Sequence, residues 1–238
     1  MRSVKSIFMK QLRDTFKNRA VLIQFLVFPI MAFVMTEMVA KSSDEIPNHV
    51  FVTMFAAMFA GMTPLTMISI AIAEDRERKS LRLLVMAGVR PYEYLLGAGG
   101  FVLAACALFS LVFSLIGGFQ GAQLGIFLAA LILGSATSAL LGATIGIFSK
   151  NQQAATSLSM PVAMVFAFLP LLSQFDEGVR AVARVTYTQQ MNELVNGFVE
   201  SAEASTASPL TPFLIILANM AVLLTLFVVA YNKKGLRD

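Results

Sequence analysis

The sequence has 238 residues, of which 57% are hydrophobic and 13% charged, and its formal net charge is +4. This composition excludes an ordinary soluble domain, which carries about 25% charged residues. The single cysteine, Cys106, excludes a disulfide framework or a thiolate metal site built within one chain.

Residues 3–19 predict an amphipathic helix ahead of the first long apolar run. Its apolar residues recur near one face of a 3.6-residue period: Val4, Ile7, Phe8, Leu12 and Phe16. The basic residues lie mostly elsewhere on the helical wheel. We expect the helix to lie in the lipid headgroup layer with its apolar face toward the hydrocarbon. The alternative is a basic flank that only orients the first span.

Long charge-free runs predict six membrane-spanning helices. A span needs about 20 mostly apolar residues, and β-barrel strands alternate instead of running apolar over that length. The predicted spans are 20–39, 50–73, 95–116, 124–148, 155–173 and 210–231. The stretch GGFQGAQ at 117–123 predicts a tight turn between the third and fourth spans. The predicted fold is therefore an all-α polytopic membrane protein with one transmembrane domain over residues 1–238.

The fourth span carries a stripe of small residues. One stands at every fourth position: Gly134, Ser138, Gly142 and Gly146. Such a stripe lets two helices approach closely. We expect it to pack against another span of the same chain; the alternative is a seam between two copies.

Residues 174–209 form the longest segment outside the predicted spans on the outer side. Their helical periodicity predicts two short amphipathic helices with a break near Thr186–Thr188. The alternative is an ordinary solvated loop, although 36 residues would be long for one.

The basic residues lie mainly on one side of the predicted membrane. The termini and the segments 74–94 and 149–154 hold 15 of the 18 Lys and Arg residues. The positive-inside rule then places both termini in the cytoplasm of a multi-pass protein of the cell (plasma or inner) membrane. This bias accounts for the basic excess without a nucleic-acid partner.

The sequence offers no recognisable catalytic constellation. It has one histidine, His49, and lacks HExxH, GxSxG and GxxxxGK[ST] motifs. The one ionisable candidate for an ion pathway, Glu37, lies near the outer end of the first span. We therefore predict no catalytic residue, no metal site and no cofactor in this chain, and an external energy source for any uphill transport.

A charged window, AEDRERKSLRLLVMAGVRPYEYLLG, occupies residues 73–97. Two i,i+4 pairs, Glu74 with Arg78 and Asp75 with Lys79, predict that the second span continues beyond the membrane as a helix. Ser80 is a potential N-cap of a second, short helix that crosses the cytoplasmic mouth.

The apolar face of this short helix comprises Leu81, Leu84 and Val85. Gly88 suits the end of a helical turn, and Pro91 blocks continuation before PYEYLLG begins the third span. This exposed apolar face predicts a partner; the alternative is packing on the protein's own membrane domain or on lipid headgroups.

The stretch 77–97 resembles the coupling-helix segment of the type-two ABC exporter permeases. The matching residues are Glu77, Leu81, Leu83, Leu84, Glu93, Leu95, Leu96 and Gly97. The departures are Lys79 where Gly is usual, Arg82 where Glu is frequent and Gly88 where Pro is common. The turn FSKNQQAA at 148–155 is similar to the family's second cytoplasmic contact. The resemblance extends over nearly the whole chain in the order of its elements.

The resemblance implies a division of labour between chains. A separate ATP-binding subunit, which holds ATP and Mg, would dock on two segments of this chain. Its contacts would be Glu77, Arg78, Ser80, Leu81, Leu84, Val85 and Gly88, together with Lys150, Asn151 and Gln152. Two permease subunits, identical or different, would pair, and the direction of transport would be outward.

The cargo expected first is amphiphilic or hydrophobic: a drug, an antibiotic or a peptide. Spans rich in Phe and Met suit such cargo, although these residues also suit contact with lipid. Gln24 and Thr63 are candidate path residues. The alternatives are a glycan, lipid or sodium exporter of the same architecture, and, in a different class, a membrane-embedded enzyme or assembly factor.

Overall fold

A computed structural model describes residues 2–17, 19–42, 47, 49–80, 86, 88, 91–199 and 210–234. The α-helices within these residues are α1 (Arg2–Lys17), α2 (Arg19–Met38), α3 (His49–Glu77), α4 (Pro91–Gly117), α5 (Gly121–Phe148), α6 (Gln152–Leu172), α7 (Glu177–Ala183), α8 (Tyr187–Val199) and α9 (Leu210–Lys234). A 3₁₀ turn, Ala40–Ser42, follows α2. The described residues contain no β-strand.

Six of these helices, α2, α3, α4, α5, α6 and α9, are long and apolar enough to cross a membrane. Their bounds lie within a few residues of the predicted spans, which confirms the all-helical six-span fold. The predicted turn between the third and fourth spans is also present. Its glycines Gly118 and Gly121 have φ angles of 67° and 57°, a conformation that glycine adopts without a steric penalty.

Helix α3 lies at the centre of the bundle. Within the most apolar 18-residue stretch of α3, 78% is buried, whereas the corresponding stretch of α9 is 17% buried. Helices α2, α4, α5, α6 and α8 all pack against it. The other spans therefore take their positions around α3, and a displacement of α3 reaches each of these five helices through direct contact.

The small-residue stripe of α5 lies against the backbone of α3. A Cβ atom at Gly146 would stand 2.7 Å from the Ser69 carbonyl oxygen, and one at Gly142 would overlap the Leu65 carbonyl oxygen. The two helices approach as closely as their backbones allow, because glycine has no side chain to separate them.

The rest of the stripe faces both α3 and α8. Ser138 Oγ lies 2.5 Å from the Ala60 carbonyl oxygen and 2.8 Å from the Tyr187 hydroxyl. Burial raises the pKa of Tyr187. Gly134 lies against the Met191 side chain. All four small residues therefore pack within one protomer.

The segment before the last span folds into two short helices, α7 and α8, over residues 177–199. The break between them, at 184–186, lies beside the predicted one. The solvated-loop alternative therefore does not hold over these residues. Helix α8 buries Tyr187, Met191, Leu194 and Val195 against the bundle, so this helix is part of the core.

The two ends of the bundle are built from different elements. One end, called the charged face here, comprises α1, the C-terminal ends of α3, α5 and α9, and the N-terminal ends of α4 and α6. The opposite face carries the 3₁₀ turn, the α4–α5 turn, α7 and α8. The predicted coupling helix with Leu81, Leu84 and Val85 lies outside the described residues, as does the side chain of Phe16.

Candidate coupling site on the charged face

Three consecutive residues at the C-terminal end of α3 join the helices of the charged face. They are Asp75, Arg76 and Glu77, which we call the Asp75–Glu77 cluster. Successive side chains on an α-helix point about 100° apart, because one turn takes 3.6 residues. The three side chains therefore reach different neighbours around the helix.

Asp75 is buried, with 1% of the residue exposed. Its carboxylate forms an ion pair with Lys10 of α1. It also accepts hydrogen bonds from Ser80 Oγ at 3.0 Å and from the Tyr94 hydroxyl of α4 at 2.9 Å. A buried carboxylate is costly unless it is paired and hydrogen-bonded. These partners satisfy both oxygens and tie α1, α3 and α4 together.

The sequence pattern predicts an ion pair between Asp75 and Lys79, but Asp75 pairs with Lys10 instead. Helix α3 ends at Glu77, and Lys79 has a φ of 58°, so the helical i,i+4 geometry does not extend to it. The other predicted pair does form, with 2.7 Å between Arg78 Nη2 and Glu74 Oε1. Of these two adjacent acids, Glu74 is partly exposed and Asp75 is buried.

The last span joins the cluster through Tyr94. The rings of Tyr94 and Tyr231 lie 6.1 Å apart, and Tyr231 is 3% exposed. Aromatic pairs at this separation contribute about 0.5–1.5 kcal/mol beyond their buried area. The C-terminal end of α9 is thereby attached to the same part of the charged face.

Arg76 lies at the C-terminal end of α5. Its guanidinium donates to the carbonyl oxygens of Ile147 and Ser149, the latter at 3.2 Å. The last carbonyl groups of a helix lack partners within the helix and carry partial negative charge. A cation at this position therefore satisfies them and complements the dipole of α5.

Glu77 lies at the N-terminal end of α6. Its Oε2 accepts a hydrogen bond of 3.1 Å from the backbone N–H of Gln152, the first residue of that helix. Asn151 caps the same end by accepting from the Ala154 N–H at 2.8 Å. An anion is favourable there, because the N-terminal N–H groups carry partial positive charge. Glu77 and Gln152, predicted as members of separate coupling segments, are thus in direct contact.

Residues 5–231 match the family described as ABC-2 family transporter protein. The chain belongs to this family. It is a multi-pass membrane protein and the membrane-spanning subunit of an ABC transporter, which confirms the resemblance found in the sequence. The comparison with curated proteins finds no match.

Three further predicted coupling residues of this permease, with two of their neighbours in the chain, are exposed, and we call these five residues the exposed rim. Arg78, Lys150 and Gly88 are exposed, and Gly88 has a φ of 79°. Two large side chains beside them are also exposed, Met86 by 65% and Tyr92 by 52%. The charged face therefore presents exposed apolar and basic groups in the segments that follow or contact the Asp75–Glu77 cluster.

Helix α1 packs its apolar side on α4. The rings of Phe8 and Phe101 meet edge to face at 5.8 Å, Ile7 is 5% exposed, and Leu12 is partly buried. Lys10 projects from the adjacent side of α1 to Asp75. The helix is therefore attached to the permease both by apolar packing and by the buried ion pair.

The two predicted path residues differ in burial, since Gln24 is partly exposed and Thr63 is fully buried. Gln24 of α2 donates to Thr66 of α3. Thr63 is 0% exposed, and its hydroxyl has no hydrogen-bond partner among the residues that the structure describes. A transport role for Thr63 would require the helices around it to separate.

The sequence pattern gives no signal for the contact of Lys10, Asp75 and Tyr94. Lys10 and Asp75 are 65 positions apart, and nothing in their spacing brings them together. The available signal is compositional: two acidic residues, Glu74 and Asp75, follow an apolar run at the end of a predicted span. Such a residue needs a partner if the bundle encloses it.

Proposed function

We propose that this permease exports an amphiphilic or hydrophobic cargo and is driven by a separate ATP-binding subunit docked on the charged face. The partner binds ATP and Mg and hydrolyses the nucleotide, and this chain supplies the path. The charged face lies in the cytoplasm with both termini. This orientation rests on the 15 of 18 Lys and Arg residues assigned to that side, as the positive-inside rule requires.

The observation that carries the proposal is the exposed rim in the segments that follow or contact the Asp75–Glu77 cluster. Met86 and Tyr92 offer apolar contact area, and Arg78 and Lys150 offer charge. Interface cores are enriched in aromatic residues, Met and Arg. The apolar face of the predicted coupling helix would add to this docking surface.

Motion of the docked subunit passes from residues 78–90 into α3. From there the cluster connects to α1 and α4 through Asp75, to α5 through Arg76 and to α6 through Glu77. Since α3 also contacts most of the other spans, displacement of its end changes the arrangement of the whole bundle. Pairing with a second permease, identical or different, completes the transporter.

A pocket between α3, α6 and α8 has a lining of mixed polarity that would suit part of an amphiphilic cargo. It lies at the N-terminal end of α3 and encloses about 140 Å³. Its lining combines polar side chains with flexible apolar ones, including Thr53, Asn192 and Asn196 beside Met54 and Met58. Mixed linings orient ligands through a few polar groups, and Met adapts to different shapes. In the proposed orientation this pocket lies toward the outer side.

The docking proposal is tested by the double variant Leu81→Asp/Leu84→Asp. The permease is co-expressed with the ATP-binding subunit expected from a neighbouring reading frame, and both co-purification and cargo efflux are measured. Two carboxylates in an apolar interface should weaken binding about 30-fold, as the loss of a hot spot does. Efflux should fall with it.

Val182→Asp/Val185→Asp is the matched control, because these valines are 65% and 67% exposed on the opposite face. The control should bind and export normally. Survival of both binding and efflux in the Leu81→Asp/Leu84→Asp variant contradicts the proposal.

Absence of an ATP-binding subunit from the neighbouring frames favours a membrane enzyme or assembly factor. Cell sensitivity to amphiphilic toxins, with and without the permease, tests the cargo class.

A further inference from the structure

An apolar groove of about 390 Å³ lies between α1, α2 and α4. Every residue that lines it is Phe, Leu or Ala. Its volume falls within the range of about 300–1,000 Å³ that is usual for ligand sites. None of its lining residues belongs to the Asp75–Glu77 cluster or to the pocket between α3, α6 and α8.

The groove extends from the charged face toward the membrane interior. Phe8 and Leu12 of α1 line one end, and the α4 lining runs from Phe101 to Phe109. That distance is about 12 Å along a helix that rises 1.5 Å per residue. Leu108 is 60% exposed on the lining, so the groove is open to the surface that faces lipid hydrocarbon.

The end of the groove at α1 lies next to an exposed basic residue. Arg13 follows the lining residue Leu12 and is exposed. Amphipathic helices of this type lie at the headgroup layer with basic side chains toward anionic lipid. Charge at the surface and apolar lining beneath it match the polarity of a phospholipid.

We propose that the groove binds one acyl chain of a phospholipid from the adjacent leaflet, with the lipid phosphate beside Arg13. The chain fills the space between α1 and the two spans beneath it and becomes part of their packing. The site is independent of the cargo and of the ATP-binding subunit, since it requires only that the charged face lies at a membrane surface.

The probe is phosphatidylglycerol with a photoactivatable diazirine in its acyl chain. It is added as a trace to vesicles of equal parts phosphatidylglycerol and phosphatidylcholine that contain the full-length permease. Irradiation followed by peptide mapping locates the label. We expect labelling of the α4 segment Phe101–Phe109 to exceed that of α9, which is the least buried of the six spans and contributes no residue to the groove.

Ala105→Phe fills the groove, and Ala218→Phe on the exposed surface of α9 is its control. Loss of burial for two methylenes corresponds to about a tenfold fall in occupancy. Labelling of Phe101–Phe109 should fall by that factor in Ala105→Phe and stay unchanged in Ala218→Phe. Arg13→Glu should lower the same labelling several-fold without a change of core packing.

Equal labelling of α4 and α9 in the unmodified protein overturns the proposal, whichever variants fold. It is also overturned if Ala105→Phe leaves the labelling unchanged. Protection of the groove from the probe by a second permease copy or by cargo would assign a different occupant and would likewise refute a lipid site.

Discussion

At the scale of single residues, two adjacent acids at the end of α3 have different roles. Glu74, which is partly exposed, pairs with the exposed Arg78, and the buried Asp75 contacts Lys10, Ser80 and Tyr94. Local spacing predicts the first pair, because both partners lie on one helix. It fails for Asp75, because the helix ends at Glu77 and the partners come from elsewhere in the chain.

Asp75→Asn tests the buried role of this carboxylate. The substitution removes the ion pair with Lys10 and leaves the Tyr94 hydroxyl with a weaker acceptor, which should cost about 1–3 kcal/mol. The midpoint of thermal unfolding in detergent should then fall by about 5 °C. Efflux should fall further than binding of the ATP-binding subunit, since the docking rim remains.

Glu74→Gln is the control for this change, because it also replaces a carboxylate by the corresponding amide, one residue earlier in the chain. An exposed pair contributes about 0.5 kcal/mol or less, so the unfolding midpoint should stay within about 1 °C. If both variants shift the midpoint equally, the buried contacts of Asp75 do not stabilise the charged face as we infer.

At the scale of helices, the small-residue stripe of α5 was predictable and its partner was not. Spacing alone shows that Gly134, Ser138, Gly142 and Gly146 share a face and permit close approach. It does not say whether α3, another span or a second copy fills that face, because all spans are similarly apolar. The structure places α3 and α8 there.

Gly142→Ala tests how tightly α3 and α5 pack. The added Cβ would overlap the Leu65 carbonyl oxygen and stand 2.7 Å from Ile68 Cγ2, so the helices must separate. Overpacking of this kind costs about 1–3 kcal/mol and should lower the unfolding midpoint accordingly.

The matched control is Gly125→Ala on the same helix, where nothing lies within 4 Å of the added Cβ. This substitution should leave the midpoint unchanged or raise it slightly, because alanine favours helix over glycine. An unchanged midpoint for Gly142→Ala would mean that the two helices are looser than the structure shows.

At the scale of the whole molecule, the six spans could be predicted from the lengths of the charge-free runs, because the thickness of the bilayer sets the length that a span needs. Their arrangement did not follow, because the bilayer is itself an apolar solvent. The most apolar span, α9, is the least buried, and the central α3 is among the least apolar. In a membrane, high hydropathy therefore does not identify the protein core.

The central claim is that an ATP-binding subunit docks on the exposed rim of the charged face. The variant Met86→Cys, labelled with a benzophenone crosslinker, tests this claim directly. The native Cys106 is buried and should resist labelling. Val182→Cys on the opposite face is the control, because Met86 and Val182 are both 65% exposed.

Irradiation of the assembled complex should crosslink position 86 to the ATP-binding subunit and leave position 182 without this product. An intact complex that gives no crosslink from position 86, or equal crosslinking from both positions, would contradict the account.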